Sequence, residues 1–189
     1  EIIKILQNYT EKEKVNLYLM RGNRDFHLNK KFAELTGCKI IKDPTNIYLN
    51  EEKILLMHGD TLCTDDVKYQ YWRKFITNPL IKLFYSKMPL SVRQFIAYGV
   101  RGYTAKAIKK KSPEIIDVSD KAVIKAIRDH EVKTLIHGHT HKRAIHHIDI
   151  DGLSAKRIVL GDWYKEDWVL IYDKNDFKFQ RIADYIKDH

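Results

Sequence analysis

The chain has 189 residues, a length that fits one domain with a real core, and its 44% hydrophobic and 31% charged content is ordinary for a globular protein. No uninterrupted apolar run approaches the ~18 residues needed to cross a bilayer, and two cysteines without metal-type spacing, Cys38 and Cys63, exclude a disulfide framework and favour a reducing compartment. The net charge of +9 is concentrated: Val67 to Lys111 holds eleven Lys or Arg, no Asp or Glu and nine of the 21 aromatics, leaving 23 basic against 25 acidic residues elsewhere. A basic, aromatic-rich stretch of this kind suits an anionic partner, whether nucleic acid, a phospholipid surface or an amphipathic phosphorylated substrate.

The chain opens Glu-Ile-Ile-Lys, without the pattern of a secretory signal and without an initiator methionine, which leaves the native start open. Apolar residues at 2, 3, 5, 6 and 9 predict the end of an amphipathic helix. A strand follows over 15–20, then a helix from about Asn29 to Leu35 that stops at Gly37. Strands over about 39–42 and 46–49 flank the turn signal Asp43-Pro44, and a further strand, 53–57, ends at His58. Asp65-Asp66 can start a helix, since carboxylates favour the first turn. From there to about Ile108 the pattern is helical, broken at Asn78-Pro79 and Met88-Pro89 into two to four short helices whose faces are apolar and basic together. A helix over 119–130 leads to a strand over 134–137. Short strands are expected after that, at 144–150, 157–160, 168–172 and 177–182, with turns at Asp151-Gly152 and over 173–176. The organisation is α/β, then a helical insertion over about 66–115, then a β-rich end, all within one domain spanning 1–189.

Three segments share one signature, a strand followed by a polar loop with metal-competent side chains. They are Arg21-Gly-Asn-Arg-Asp25, Met57-His-Gly-Asp60 and Leu135-Ile-His-Gly-His-Thr-His141. A strand places residues i and i+2 on one side, so a β-like run would aim His139 and His141 together, with Gly138 letting the backbone turn. Neutral imidazole is the commonest metal ligand, and the alternative is a strand end with surface or hydrogen-bonded histidines. In one cleft, Asn23, His58, His139 and His141 make an N and O donor set that suits Mn, Zn or Fe, and Asp25, Asp60, Asp65 or Asp66 could complete it. Two metals about 4 Å apart would bridge a hydroxide and clamp phosphoryl oxygens in line. Arg24 could give a phosphate two parallel hydrogen bonds.

The order Gly-Asn-x-Asp, His-Gly-Asp, Gly-His-Thr-His resembles the calcineurin-like metallophosphoesterases, a β-sandwich flanked by helices with a binuclear metal site at the strand ends. Most members carry His after the Asn, where this chain has Arg24. His58-Gly-Asp-Thr-Leu-Cys-Thr-Asp-Asp66 with Tyr69-Gln70, Gly22-Asn-Arg-Asp-Phe26 and the helical insertion are similar to the UDP-2,3-diacylglucosamine hydrolases of lipid A biosynthesis. The resemblance covers nearly the whole chain. It implies hydrolysis of the substrate's pyrophosphate to UMP and 2,3-diacylglucosamine 1-phosphate, with two Mn2+ ions and with water attacking the phosphorus on the uridine side. It implies Asn23, His58 and His139 on one metal and His141 on the other, with Arg24, His58 and His139 catalytic. Substrate contacts would come from Asn23, Arg24, Asp66, Tyr69, Arg101, Thr104, Lys111 and His139, while Ile108 falls where a polar contact is expected. The insertion would hold acyl chains and meet the anionic cytoplasmic face of the bacterial inner membrane as a peripheral protein, with no nucleic acid partner.

The family's opening Asp-x-His and Gly-Asp-x-x-Asp motifs are not in this sequence, so it is read as N-terminally shortened and, taken alone, inactive. Two alternatives stand beside this reading. One is a metallophosphoesterase acting on nucleotides or nucleic acid, with the basic insertion tracking a phosphate backbone. The other is a non-catalytic membrane- or partner-binding relative. Among the remaining polar residues, His137 is expected to pack or bond within the strand end, His146 and His147 to lie at the surface, and Asp25 and Asp60 to orient ligands. Asp65 is expected to start a helix and Cys63 to be buried.

Overall fold

Local chemistry fixes the first elements. Asn29 has extended backbone and its side-chain oxygen accepts from Phe32 N–H at 3.1 Å, opening helix α2 (Lys30–Thr36), which ends at Gly37 with φ 69°. The computed structural model describes residues 1–189 except 24, 26, 27, 109–114, 116, 164–166 and 189, and the side chains of 101, 103–108 and 188 are likewise outside the description. The chain divides into two units, Glu1–Asp60 with Val123–His189, and Thr61–Ala122.

In the first unit, α1 (Ile2–Glu11) precedes β1 (Tyr18–Met20), which pairs in parallel with β2 (Lys39–Ile41) across α2. The strand expected over 15–20 thus begins three residues late, with Val15 and Asn16 exposed outside it. The main sheet has the order β3 (Thr45–Leu49), β4 (Glu52–Met57), β5 (Thr134–His137), β7 (Leu153–Val159), β6 (Ala144–Ile150). β4, β5 and β7 run parallel, while β3 and β6 close the edges as antiparallel hairpins. All four residues of β5 are buried, as expected for a central parallel strand covered on both faces. β7 starts four residues earlier than expected, because Asp151 and Gly152, both at positive φ, turn the chain straight back from β6.

β8 (Trp168–Asp173) and β9 (Asp176–Arg181) form a hairpin, followed by α7 (Ile182–Asp188), a helix the short apolar tail did not reveal. Ile54, Ile136 and Ile158 line one face of the main sheet and are buried with Phe177 of the hairpin, against Leu56, Leu160, Leu170 and Phe179. The hairpin is therefore a second layer over the sheet, and each such buried side chain contributes roughly 1.5–3 kcal/mol. Asn50, at the β3–β4 turn, donates to Asn175 at the hairpin tip. Helix α6 (Asp120–His130) buries Val123 and Ile127, and Cys38 and, in the second unit, Cys63 are buried as well.

The second unit contains α3 (Val67–Thr77), α4 (Pro79–Lys87) and α5 (Leu90–Ile108). Asp66, rather than Asp65, caps α3: its carboxylate accepts from Tyr69 N–H at 3.1 Å while Asp65 is exposed. Asn78 ends α3 and caps α4 through Leu80 N–H at 2.8 Å, with Pro79 in the first turn, where its missing donor costs nothing. These helices leave large apolar side chains exposed, including Leu80 at 75% and Phe95 at 80%. Among the described residues no helix is long and apolar enough to cross a membrane.

Candidate metal site

The parallel register brings two of the signature loops to one edge. Met57 is level with His137, and Gly138 N–H donates to His58 O at 3.0 Å, continuing the ladder one step beyond the strands. His58 N–H in turn donates to the Asp43 carboxylate at 3.0 Å, which ties the end of β4 to the turn before β3. The next residue, Gly59, has φ 106°, and a Cβ there would lie 2.8 Å from His137 Nδ1, so only glycine fits. His137 is fully buried, and its Nδ1 is 2.9 Å from Gly138 O; since a carbonyl can only accept, Nδ1 carries the proton. It bonds at the strand end as expected.

The backbone beyond β5 corrects one expectation. The strand ends at His137, and it is His139 (φ 65°) and His141 (φ 56°), not Gly138, that adopt left-handed conformations. The two imidazoles are therefore aimed by a turn rather than by strand alternation. Non-glycine residues are held there at a cost of order 1–3 kcal/mol, which concentrates at functional loops.

His58 and His139 face each other edge-on, with ring centroids 5.1 Å apart. Asn23 N–H donates to His58 Nε2 at 3.2 Å, bringing the Gly22-Asn23 loop against the same ring. A Cβ at Gly22 would sit 3.0 Å from His58 Cε1, so the missing side chain is what allows the approach. Burial, then the neighbouring His58 imidazole, push the His139 imidazole from 6.5 down to about 4, against an upward pull from the Asp60 carboxylate. Asp60 is itself buried. His141 lies further out, with Nδ1 3.3 Å from Asp162 Oδ2.

The chemistry of this donor set fits a divalent cation in kind. His139 stays neutral near pH 7, with a lone pair to give, and His58 Nε2 is the unprotonated nitrogen of its ring, whose lone pair a metal would take over from Asn23 N–H. It is short in number: among the described residues no three His, Cys, Asp or Glu side chains are grouped closely enough to hold an ion. The structure thus brings Asn23, His58 and His139 together, with Asp60 affecting His139 electrostatically. Arg24 and Lys111 lie outside the described residues, as does His27, and so do the side chains of Arg101, Thr104 and Ile108. Asp66 and Tyr69 belong to the second unit. Of the later histidines, His147 is exposed on β6 and His146 half-buried. Sequence reasoning placed Gly22 in a motif without reading its steric role against His58, and missed Asp162. Asp162 had a signal, since Gly161-Asp162 follows a strand just as Gly59-Asp60 follows β4 and His58.

The model of the calcineurin-like phosphoesterase family matches residues 1–143. The chain belongs to the calcineurin-like phosphoesterases. Its fold is that family's, a mixed α/β arrangement about a central sheet, and the family works with divalent metals. This phosphoesterase is similar to proteins named UDP-2,3-diacylglucosamine hydrolase. One, from Pseudomonas entomophila, is 46% identical over 86% of this chain and 68% of its own length. Another, from Ectopseudomonas mendocina, is 43% identical over 85% of this chain and 66% of its own. The phosphoesterase therefore spans about two thirds of the length of the curated relatives it matches. A solved archaeal phosphodiesterase aligns with a TM-score of 0.47 and 15% identity, over 95% of this chain and 74% of its own.

Proposed function

We propose that this phosphoesterase hydrolyses the pyrophosphate of UDP-2,3-diacylglucosamine to UMP and 2,3-diacylglucosamine 1-phosphate, in lipid A biosynthesis. The observation that carries the reading is a sequence 42–46% identical to hydrolases of that name, together with the facing His58 and His139 imidazoles beside the Asn23 loop. Asn23, His58 and His139 would hold one Mn2+ and His141 the other, within one phosphoesterase domain that carries the helical segment about 66–115 as an insertion. Bound divalent ions supply an activated water and neutralise phosphoryl oxygens.

The chain's own residues have the complementary tasks. The half-buried, neutral His139 presents a lone pair at physiological pH without competition from a proton. Arg24, next to Asn23, would hold the phosphate whose phosphorus on the uridine side takes up water as its bond to the bridging oxygen breaks. Asp66 and Tyr69 would contact the glucosamine portion, and Arg101, Thr104 and Lys111 the substrate's head group. For Asp66 this leaves one carboxylate two tasks, since it also caps α3 through Tyr69 N–H.

The exposed apolar side chains of α3–α5, including Phe75, Phe84, Phe95 and Tyr98, alternate with Lys and Arg in a stretch with no acid. That combination suits acyl chains and the anionic cytoplasmic face of an inner membrane. The test is UMP release from UDP-2,3-diacylglucosamine with Mn2+, run on the 189-residue chain and on the product of the complete reading frame. Turnover by at least one of them, dependent on the acyl chains and mostly lost in His139→Ala, is the expected result. Turnover of neither, or near-normal rates in His139→Ala, would remove the proposal.

A further inference from the structure

His141 is one of the proposed ligands, and the side chain that faces it is Asp162. The pairing follows from the sheet. β5 and β7 are parallel neighbours with His137 level with Val159, and Leu160 N–H donates to His137 O at 2.8 Å. The two chains therefore leave the sheet side by side, one toward His141 and the other toward Asp162. Trp163 holds the second loop in place, its indole N–H donating to Trp168 O at 2.9 Å.

His141 Nδ1 and Asp162 Oδ2 are 3.3 Å apart, and the carboxylate side chain is only 19% exposed against 48% for the imidazole. The distance sits just beyond the usual hydrogen bond of about 2.7–3.2 Å and within ion-pair reach. A neutral imidazole has one donor nitrogen and one acceptor nitrogen, and the group hydrogen-bonded to the first decides where the second points. Carboxylates in this position orient metal-binding histidines and raise their basicity.

We propose that Asp162 is the positioning residue for His141: its carboxylate accepts the Nδ1 proton, fixes the neutral ring in that tautomer and turns the Nε2 lone pair toward a divalent cation. This rests on the reading of His141 as a ligand. The competing description is a surface ion pair in which Asp162 does nothing for the metal.

Three variants of the complete gene product, Asp162→Asn, Asp162→Glu and His141→Ala, separate the possibilities; the first keeps the shape of the side chain and is expected to fold. In the metal-free protein, imidazole 15N shifts should show His141 protonated at Nδ1 in the wild type and a tautomer mixture in Asp162→Asn. Calorimetric titration with Mn2+ should show the affinity of one site falling about 10–100-fold in Asp162→Asn, with Asp162→Glu recovering part of it. A wild-type ring protonated at Nε2, or an unchanged tautomer and Mn2+ affinity in Asp162→Asn while His141→Ala weakens binding, would overturn the role of Asp162 alone. Unchanged Mn2+ affinity in His141→Ala would overturn the ligand reading and the role of Asp162 with it.

Discussion

His139→Gln should flatten the loss of stability on acidification. The folded protein holds the His139 imidazole down at about 4 through burial and the adjacent His58, whereas in the unfolded chain it returns to 6.5. Between those values the unfolded state takes up a proton that the folded state refuses. The contribution is thus complete above pH 6.5, is lost as pH falls through that value, and levels off below pH 4. At about 1.36 kcal/mol per pH unit, this one group removes about 2 kcal/mol of stability by pH 5 and about 3 by pH 4. Glutamine keeps a polar side chain and has no proton to gain. The assay is urea unfolding with chelator present, at pH 7.5 and pH 5, in a Trp72→Phe background so that fluorescence reports Trp163 and Trp168 of the first unit. The wild type should lose about 2 kcal/mol more than the variant between the two pH values, a midpoint difference of roughly 1 M urea. Parallel pH dependences would refute the argument that His139 is held neutral. A wild type that gains stability on acidification relative to the variant would mean that the Asp60 carboxylate outweighs burial.

Other positions give sharp expectations. Ile158→Ala, in a fully buried side chain of β7, should cost about 2–5 kcal/mol in chemical unfolding, and a cost below 1 would contradict its place in the core. Gly59→Ala forces a Cβ to 2.8 Å from His137 Nδ1 at φ 106°, so it should lower the urea midpoint by the equivalent of at least about 1–2 kcal/mol and weaken Mn2+ binding in the complete gene product. An unchanged midpoint would show that the turn is freer than its geometry. Asn29→Ala should lose about 1 kcal/mol while Asn29→Gly loses only a few tenths, because the side-chain bond to Phe32 N–H caps α2; equal losses would point to another cause.

What could be read from sequence was whatever local chemistry determines. α2 lies between Asn29 and Gly37 because a cap and a left-handed stop are properties of single residues. β4 and β5 were legible as apolar runs, and the Pro79 and Pro89 breaks located three helices. The motif order identified the family and the residues His58 and His139 that the structure brings face to face. Direction was another matter. The left-handed turns at His139 and His141 are imposed by the fold, and strand alternation gave the wrong reason for their orientation. Asp162 meets His141 only because β7 lies beside β5, a neighbour relation that no spacing encodes.

The parallel pairing of Ile54 with Thr134 has a consequence for the order of folding. Between those strands the chain makes the whole of the Thr61–Ala122 unit and the helix Asp120–His130, so β4 must wait, as the protein is synthesised, until four α-helices have followed it. Closing so long a loop adds only about 0.6 kcal/mol per doubling of its length, which makes such an insertion tolerable at equilibrium but slow in kinetics. The hairpins β6–β7 and β8–β9 are local and can form early, whereas His58 and His139 meet only when the long-range pairing of β4 with β5 is made. The site is then a late product of folding, and a chain trapped before that step would keep much of its secondary structure without its two facing imidazoles.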